Sequence, residues 1–104
     1  MSFPESDWKK FKPLREKALA KFCEMVLEEI ESIRSENSLS SHEKYLKIYA
    51  LVSDSDNRIE EIFDGYSRSR ALRQLVMFKT EGLLEQSEFA CFSEETIEVL
   101  GGYD

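Results

Sequence analysis

Only four glycines and two prolines occur in the 104 residues, which leaves few positions made for turns. One histidine is present, so a di-iron helical bundle, which needs Glu-x-x-His on two helices, is excluded. Two cysteines, Cys23 and Cys91, stand far apart without metal or redox spacing and read as buried small apolar side chains in a reducing compartment. No apolar run approaches the roughly 18–20 residues that cross a bilayer. A basic stretch followed by an apolar one is missing at the start, so no signal peptide is read and cytoplasm is the expected location. Neither a Gly-x-Ser-x-Gly elbow nor a glycine-rich phosphate loop occurs. Internal repeats and a sustained heptad pattern are absent as well. With 21 acids against 14 bases, the net charge of −7 argues against wholesale binding to a phosphate backbone.

What is present favours helix. Ala, Leu, Glu, Lys, Arg, Met and Gln fill 51 positions, and these are the strongest helix formers. At 41%, the hydrophobic fraction is too high for a disordered chain, and the length suits one domain. Ser6 is a plausible cap for a short helical turn ending near Lys12, where Pro13 interrupts. A long helix then starts with Pro13 in its first turn; a kinked continuous helix is the alternative, since Trp8 and Phe11 share its phase. Leu14, Ala18, Phe22, Val26, Ile30 and Ile33 recur at three and four residues and carry that helix to about Glu36.

Ser40-Ser41-His42-Glu43 is a capping box that opens the second helix. Residues 53–57 are poor helix formers, yet the apolar positions 45–52 and 59–63 keep one phase across them. One helix over 41–64 follows, with Ser55 on the buried stripe. After Gly65 the apolar stripe changes face, so Gly65 is a stop. Ser67 or Ser69 then caps a third helix to about Glu81, ended by Gly82. Short helices follow around Glu85–Cys91 and Ser93–Leu100, before a frayed glycine tail. The expected fold is all-α: a small antiparallel bundle of three main helices, about 13–36, 41–64 and 67–81, with short terminal helices. Residues 1–104 form one domain, with flexible ends at about 1–5 and 101–104.

Candidate chemistry is thin. Asp54-Ser55-Asp56-Asn57-Arg58 begins like a calcium loop, but Arg58, Ile59 and Gly65 occupy the fifth, sixth and twelfth places. Glu24, Glu28 and Glu31 share a helix face that reads as solvated. Cys23 with His42 is the nearest Cys/His pairing, but Cys23 lies mid-helix, away from the N-terminus that would lower its pKa. No catalytic, cofactor or metal residue is expected, and no membrane partner.

Charge is segregated along the chain. Residues 1–21 carry six bases and three acids, and 67–81 carry four bases and one acid. The last 23 residues carry six acids and no base. Within-bundle pairing is the plain reading, and the helix of 67–81 should then set its arginines against acidic faces. The sharper reading is an anion or partner patch of Arg68, Arg70 and Arg73 with Lys9, Lys10 and Lys12. Phe3, Trp8, Phe11, Phe89, Phe92 and Tyr103 crowd the two ends. They either close the core by packing on one another or form an apolar interface.

Leu72, Leu75, Phe78, Gly82-Leu83-Leu84, Glu88-Phe89 and Leu100 together resemble the SHOCT motif, a short helical hairpin, over the last third of the chain. The lysine that usually follows the Phe is replaced by Ala90-Cys91-Phe92. The resemblance implies an interaction role and no catalytic residue. The functional expectation is therefore a non-catalytic cytoplasmic protein acting on an unidentified protein partner or on itself. A nucleic-acid-associated regulator is the second expectation, and a small enzyme with a diffuse site the third.

Overall fold

The computed structural model describes residues 3–101. Five helices occur among them and no strand: α1 (Glu5–Ser35), α2 (Ser41–Phe63), α3 (Arg68–Thr80), α4 (Gln86–Phe89) and α5 (Glu94–Val99). The three main helices contact one another. Tyr103 and most of the glycine tail lie outside the described residues.

α1 is continuous from Glu5, with Pro4 at its N-cap and Pro13 inside it. The break expected at Pro13 does not occur, and neither does the Ser6 cap. The proline removes the hydrogen bond to the Lys9 carbonyl. Both residues are exposed, so the Lys9 carbonyl stays open to solvent and the loss costs little. Phe3 and Phe11 are buried on either side of that first turn, which anchors the helix early. The segment expected to be flexible at 1–5 thus includes a buried ring and the first residue of α1.

α2 opens with the capping box: Ser40 Oγ accepts from the Glu43 amide at 3.1 Å and Glu43 accepts from the Ser40 amide at 2.8 Å. The helix runs unbroken through 53–57, with Ser55 buried as the phase required. Gly65 (φ +76°) and Gly82 (φ +69°) stop α2 and α3 in the left-handed region. Side chains from other helices finish the end of α2, which has no base in its own last turn. Arg15 donates to the Phe63 carbonyl at 2.7 Å, and Gln74 donates to the Asp64 and Gly65 carbonyls at 3.1 and 2.7 Å. These are the orphan carbonyls that every helix leaves, and a cation there also opposes the helix dipole.

The core occupies one end of the molecule. Phe11, Ile62, Leu75 and Phe78 are fully buried there. Phe78 packs against both Phe11 and Phe63, at ring-centre distances of 6.1 and 5.2 Å. α5 closes this end through Asp7, which is fully buried. Its carboxylate accepts from the Ser93 amide (2.9 Å), the Ser93 hydroxyl (2.7 Å) and the Thr96 hydroxyl (2.6 Å). Burial alone would raise the Asp7 pKa; the hydrogen bonds from Thr96 and Ser93 outweigh it and hold the group below its ordinary value.

Beyond the core the molecule is a narrow pair of helices. The extents are 52 × 25 × 19 Å and the radius of gyration is 16.7 Å. A compact chain of this length has a radius of gyration near 13 Å. The cause is length: α1, with 31 residues, is about 46 Å long. α3 has 13 residues and spans less than half of that.

Candidate functional site

The distal half of the α1–α2 pair is where the apolar surface goes uncovered. From Leu19 to Asp54 no residue is buried. Phe22, Val26, Ile30 and Ile33 of α1 and Ile48 and Leu51 of α2 are half-buried, each helix covering the other on one side only. Tyr45 (65% exposed), Tyr49 (67%), Leu46 (50%) and Val52 (41%) on α2, with Met25 and Leu27 on α1, project into solvent. Surface area tells the same story: 6870 Å² is accessible, whereas a monomer of this mass exposes about 6,000 Å².

Two contacts set the register of the pair. Arg15 reaches the Phe63 carbonyl near the core, and Lys44 donates to the Arg34 carbonyl at 2.8 Å at the far end. On α2, Val52 and Phe63 are eleven residues apart, so they differ by only about 20° around the helix. Phe63 is covered by Phe78 of α3. The Tyr45–Tyr49–Val52 stripe therefore continues the face that α3 covers at the other end, and nothing described covers it there. α1 is acidic along this arm, with five acids and one base over 22–36. Glu36, at its end, is held below the ordinary carboxylate range by the Ser38 backbone amide and hydroxyl, aided by Lys44 and Lys47.

The residues singled out from sequence lie elsewhere. Arg68 donates to the Phe3 carbonyl at 2.6 Å, and Arg70 pairs with Asp64 at 3.3 Å. Arg73 lines a shallow groove with Asn57, Glu60 and Glu61 of α2. Lys10 donates to the Cys91 carbonyl at 2.6 Å, while Lys9 and Lys12 are exposed. The arginines and lysines are thus split between separate partners. Opposite charges do meet across elements: Lys17 pairs with Glu88 at 2.5 Å, and Arg58, which also pairs with Glu61 one turn along α2, pairs with Glu81 at the end of α3.

The terminal aromatics pack inward. Phe3, Phe11, Phe89 and Phe92 are buried, and Trp8 is half-buried, stacked on Tyr66 at 4.9 Å. They close the core, the first of the two readings, and do not form an exposed apolar face. Their place is filled by Tyr45, Tyr49 and Val52, which belong to the apolar positions 45–52 that share one phase with 59–63. The 3-4 spacing of these residues was visible, but the absence of a covering element was not.

Other chemistry stays apart. Cys23 is half-buried and Cys91 exposed, so neither is the buried apolar side chain expected, and both are free thiols. His42 is exposed in the first turn of α2 and Cys23 is half-buried midway along α1. Asp54 and Asp56 are exposed on an unbroken helix, not in a loop. Among the described residues no group of three His, Cys, Asp or Glu could hold a metal ion, and no helix is long and apolar enough to cross a membrane. Comparison with protein-family models, with curated proteins and with solved structures finds no match. The SHOCT resemblance consequently rests on its quoted residues alone.

Proposed function

We propose that this is a non-catalytic interaction protein that binds through the distal arm of α1 and α2. The two helices form an antiparallel hairpin, a reading supported by the Arg15–Phe63 and Arg34–Lys44 contacts. The observation that carries the proposal is the exposure of Tyr45, Tyr49 and Val52 on a face that is core elsewhere in the same helix. Tyrosine is suited to this: it offers a large rigid contact area and a hydroxyl that tolerates water when the surface is free. The core end then acts as the base that holds the arm.

The nucleic-acid reading has less support, because Arg68 and Arg70 are engaged within the chain and the total charge is −7. Two free thiols fit a reducing compartment, which favours the cytoplasm.

Site-specific photo-crosslinking in cells tests the proposal. A benzophenone side chain replacing Tyr49 should give covalent protein adducts, while the same group replacing Glu95, exposed on α5, should not. Adducts from both positions alike, or from neither, would refute the assignment of the arm.

A further inference from the structure

We infer that the occupant of the arm is a second copy of this chain, packed antiparallel through α2 about a two-fold axis at Tyr49. The inference rests on reading the arm as the interaction surface and adds the identity of its partner. Along α2, His42, Tyr45, Tyr49, Val52 and Asp56 are spaced three, four, three and four residues, which places them on one line of the helix. All five are exposed. The line is nearly symmetric about Tyr49, with Tyr45 four residues before it and Val52 three after.

A two-fold axis at Tyr49 has a definite consequence. It stacks Tyr49 on its own copy and lays each Tyr45 over the other chain's Val52. It also sets each His42 opposite the other chain's Asp56, a cation-capable group against a carboxylate. Neither His42 nor Asp56 has an ion-pair partner within the described chain. The line is thus self-complementary, apolar against apolar and an imidazole hydrogen-bond donor against a carboxylate, as an isologous contact requires.

The antiparallel sense follows from the core end. α3 covers the same face of α2 at Phe63. Two chains packed in parallel would bring both α3 helices into one space. Packed antiparallel, each arm lies beyond the other's α3 and covers the stripe that α3 leaves open.

The area is sufficient. At about 200 Å² for a whole tyrosine side chain, the exposed parts of Tyr45, Tyr49, Leu46 and Val52 offer about 400 Å² per chain. Complete cover of His42, Ser53 and Asp56 as well would bring this to at most about 600 Å² per chain, or about 1,200 Å² for the pair, the lower end for a stable specific interface.

Sedimentation equilibrium of the purified full chain at about 1 and about 100 µM is the test, since dimer formation follows mass action. The expected result is twice the chain mass at the higher concentration, reduced to one chain mass by Tyr45→Ser with Tyr49→Ser at unchanged helicity. His42→Asp should weaken association at least tenfold, and adding Asp56→Lys should restore it. An acid in the first turn of α2 favours the helix, so weaker association would not reflect unfolding. A single chain mass at about 100 µM would overturn the inference. In that case adducts from position 49 to another protein leave the arm assignment standing, and the lack of adducts removes both. A dimer that survives the Tyr45/Tyr49 double substitution also overturns the inference, because its interface then lies elsewhere.

Discussion

Replacing Asp7 should detach the C-terminal end of the chain from α1. The carboxylate is fully buried and accepts three hydrogen bonds, all from residues 86 to 89 positions away. A hydrogen bond to a charged group contributes about 1.5–3 kcal/mol, and three to one carboxylate do not add fully. Asp7→Ala also leaves the Ser93 amide and the Thr96 hydroxyl without their acceptor. The expected loss is about 3–4 kcal/mol, a large part of the 5–15 kcal/mol typical of a domain. With a urea m-value of about 1.5 kcal/mol/M, the midpoint falls by about 2 M. Asp7→Asn keeps the shape and one acceptor oxygen, so about half that loss is expected. The pH dependence has a fixed sign. A carboxylate whose folded pKa is lowered adds stability above its ordinary pKa of about 4, and this is lost as pH falls through the folded value. The gap between the natural chain and Asp7→Asn should therefore be widest near neutrality and narrow below about pH 4. Glu36, Glu43 and Glu88 are also lowered, but they are common to both chains and cancel. An Asp7→Ala midpoint within about 0.3 M of the natural chain would refute this account, as would a pH-independent gap.

Gln74→Leu should cost about 2–3 kcal/mol in urea unfolding, because the fully buried amide serves Arg15 and the Asp64 and Gly65 carbonyls just past α2, which leucine cannot do. Equal stability would show that water fills those roles. Gly65→Ala and Gly82→Ala both meet a positive φ, costing about 1 kcal/mol each in thermal unfolding. Gly65→Ala should cost more, since its Cβ would stand 2.9 Å from Arg70 Cδ, while Gly82 has open space; the opposite order would show that Arg70 yields freely. Ser40→Ala should lower stability by about 1 kcal/mol through loss of the α2 cap, read as faster amide exchange at the start of α2; unchanged exchange would contradict it.

Much of the helical layout was legible because helices announce themselves locally. Ser40 and Glu43 share a turn, and Gly65 coincides with a change of apolar face. The phase argument across 53–57 succeeded because burial of Ser55 needs only a continuous 3.6-residue period. Pro13 misled the reading of α1. Propensity counts the lost hydrogen bond, but not that Lys9 and Pro13 both face water while Phe3 and Phe11 are already buried on that turn. The arginines of α3 were rightly seen as a cluster in sequence, but their partners are a carbonyl at Phe3 and the exposed carboxylate of Asp64. Backbone acceptors carry no residue identity, so no charge tally could find them.

Where α2 and α3 stop and which side of each helix is apolar are written in local sequence, since both depend on neighbours within a few positions. What covers those apolar sides is set by packing between distant segments. A wide stripe reads alike whether another helix lies on it, as over Phe63, or solvent does, as over Tyr49. The deciding fact is a length: α1 and α2 run well past the 13 residues of α3. Burial of Asp7 is equally non-local, because its three donors arrive from the far end of the chain.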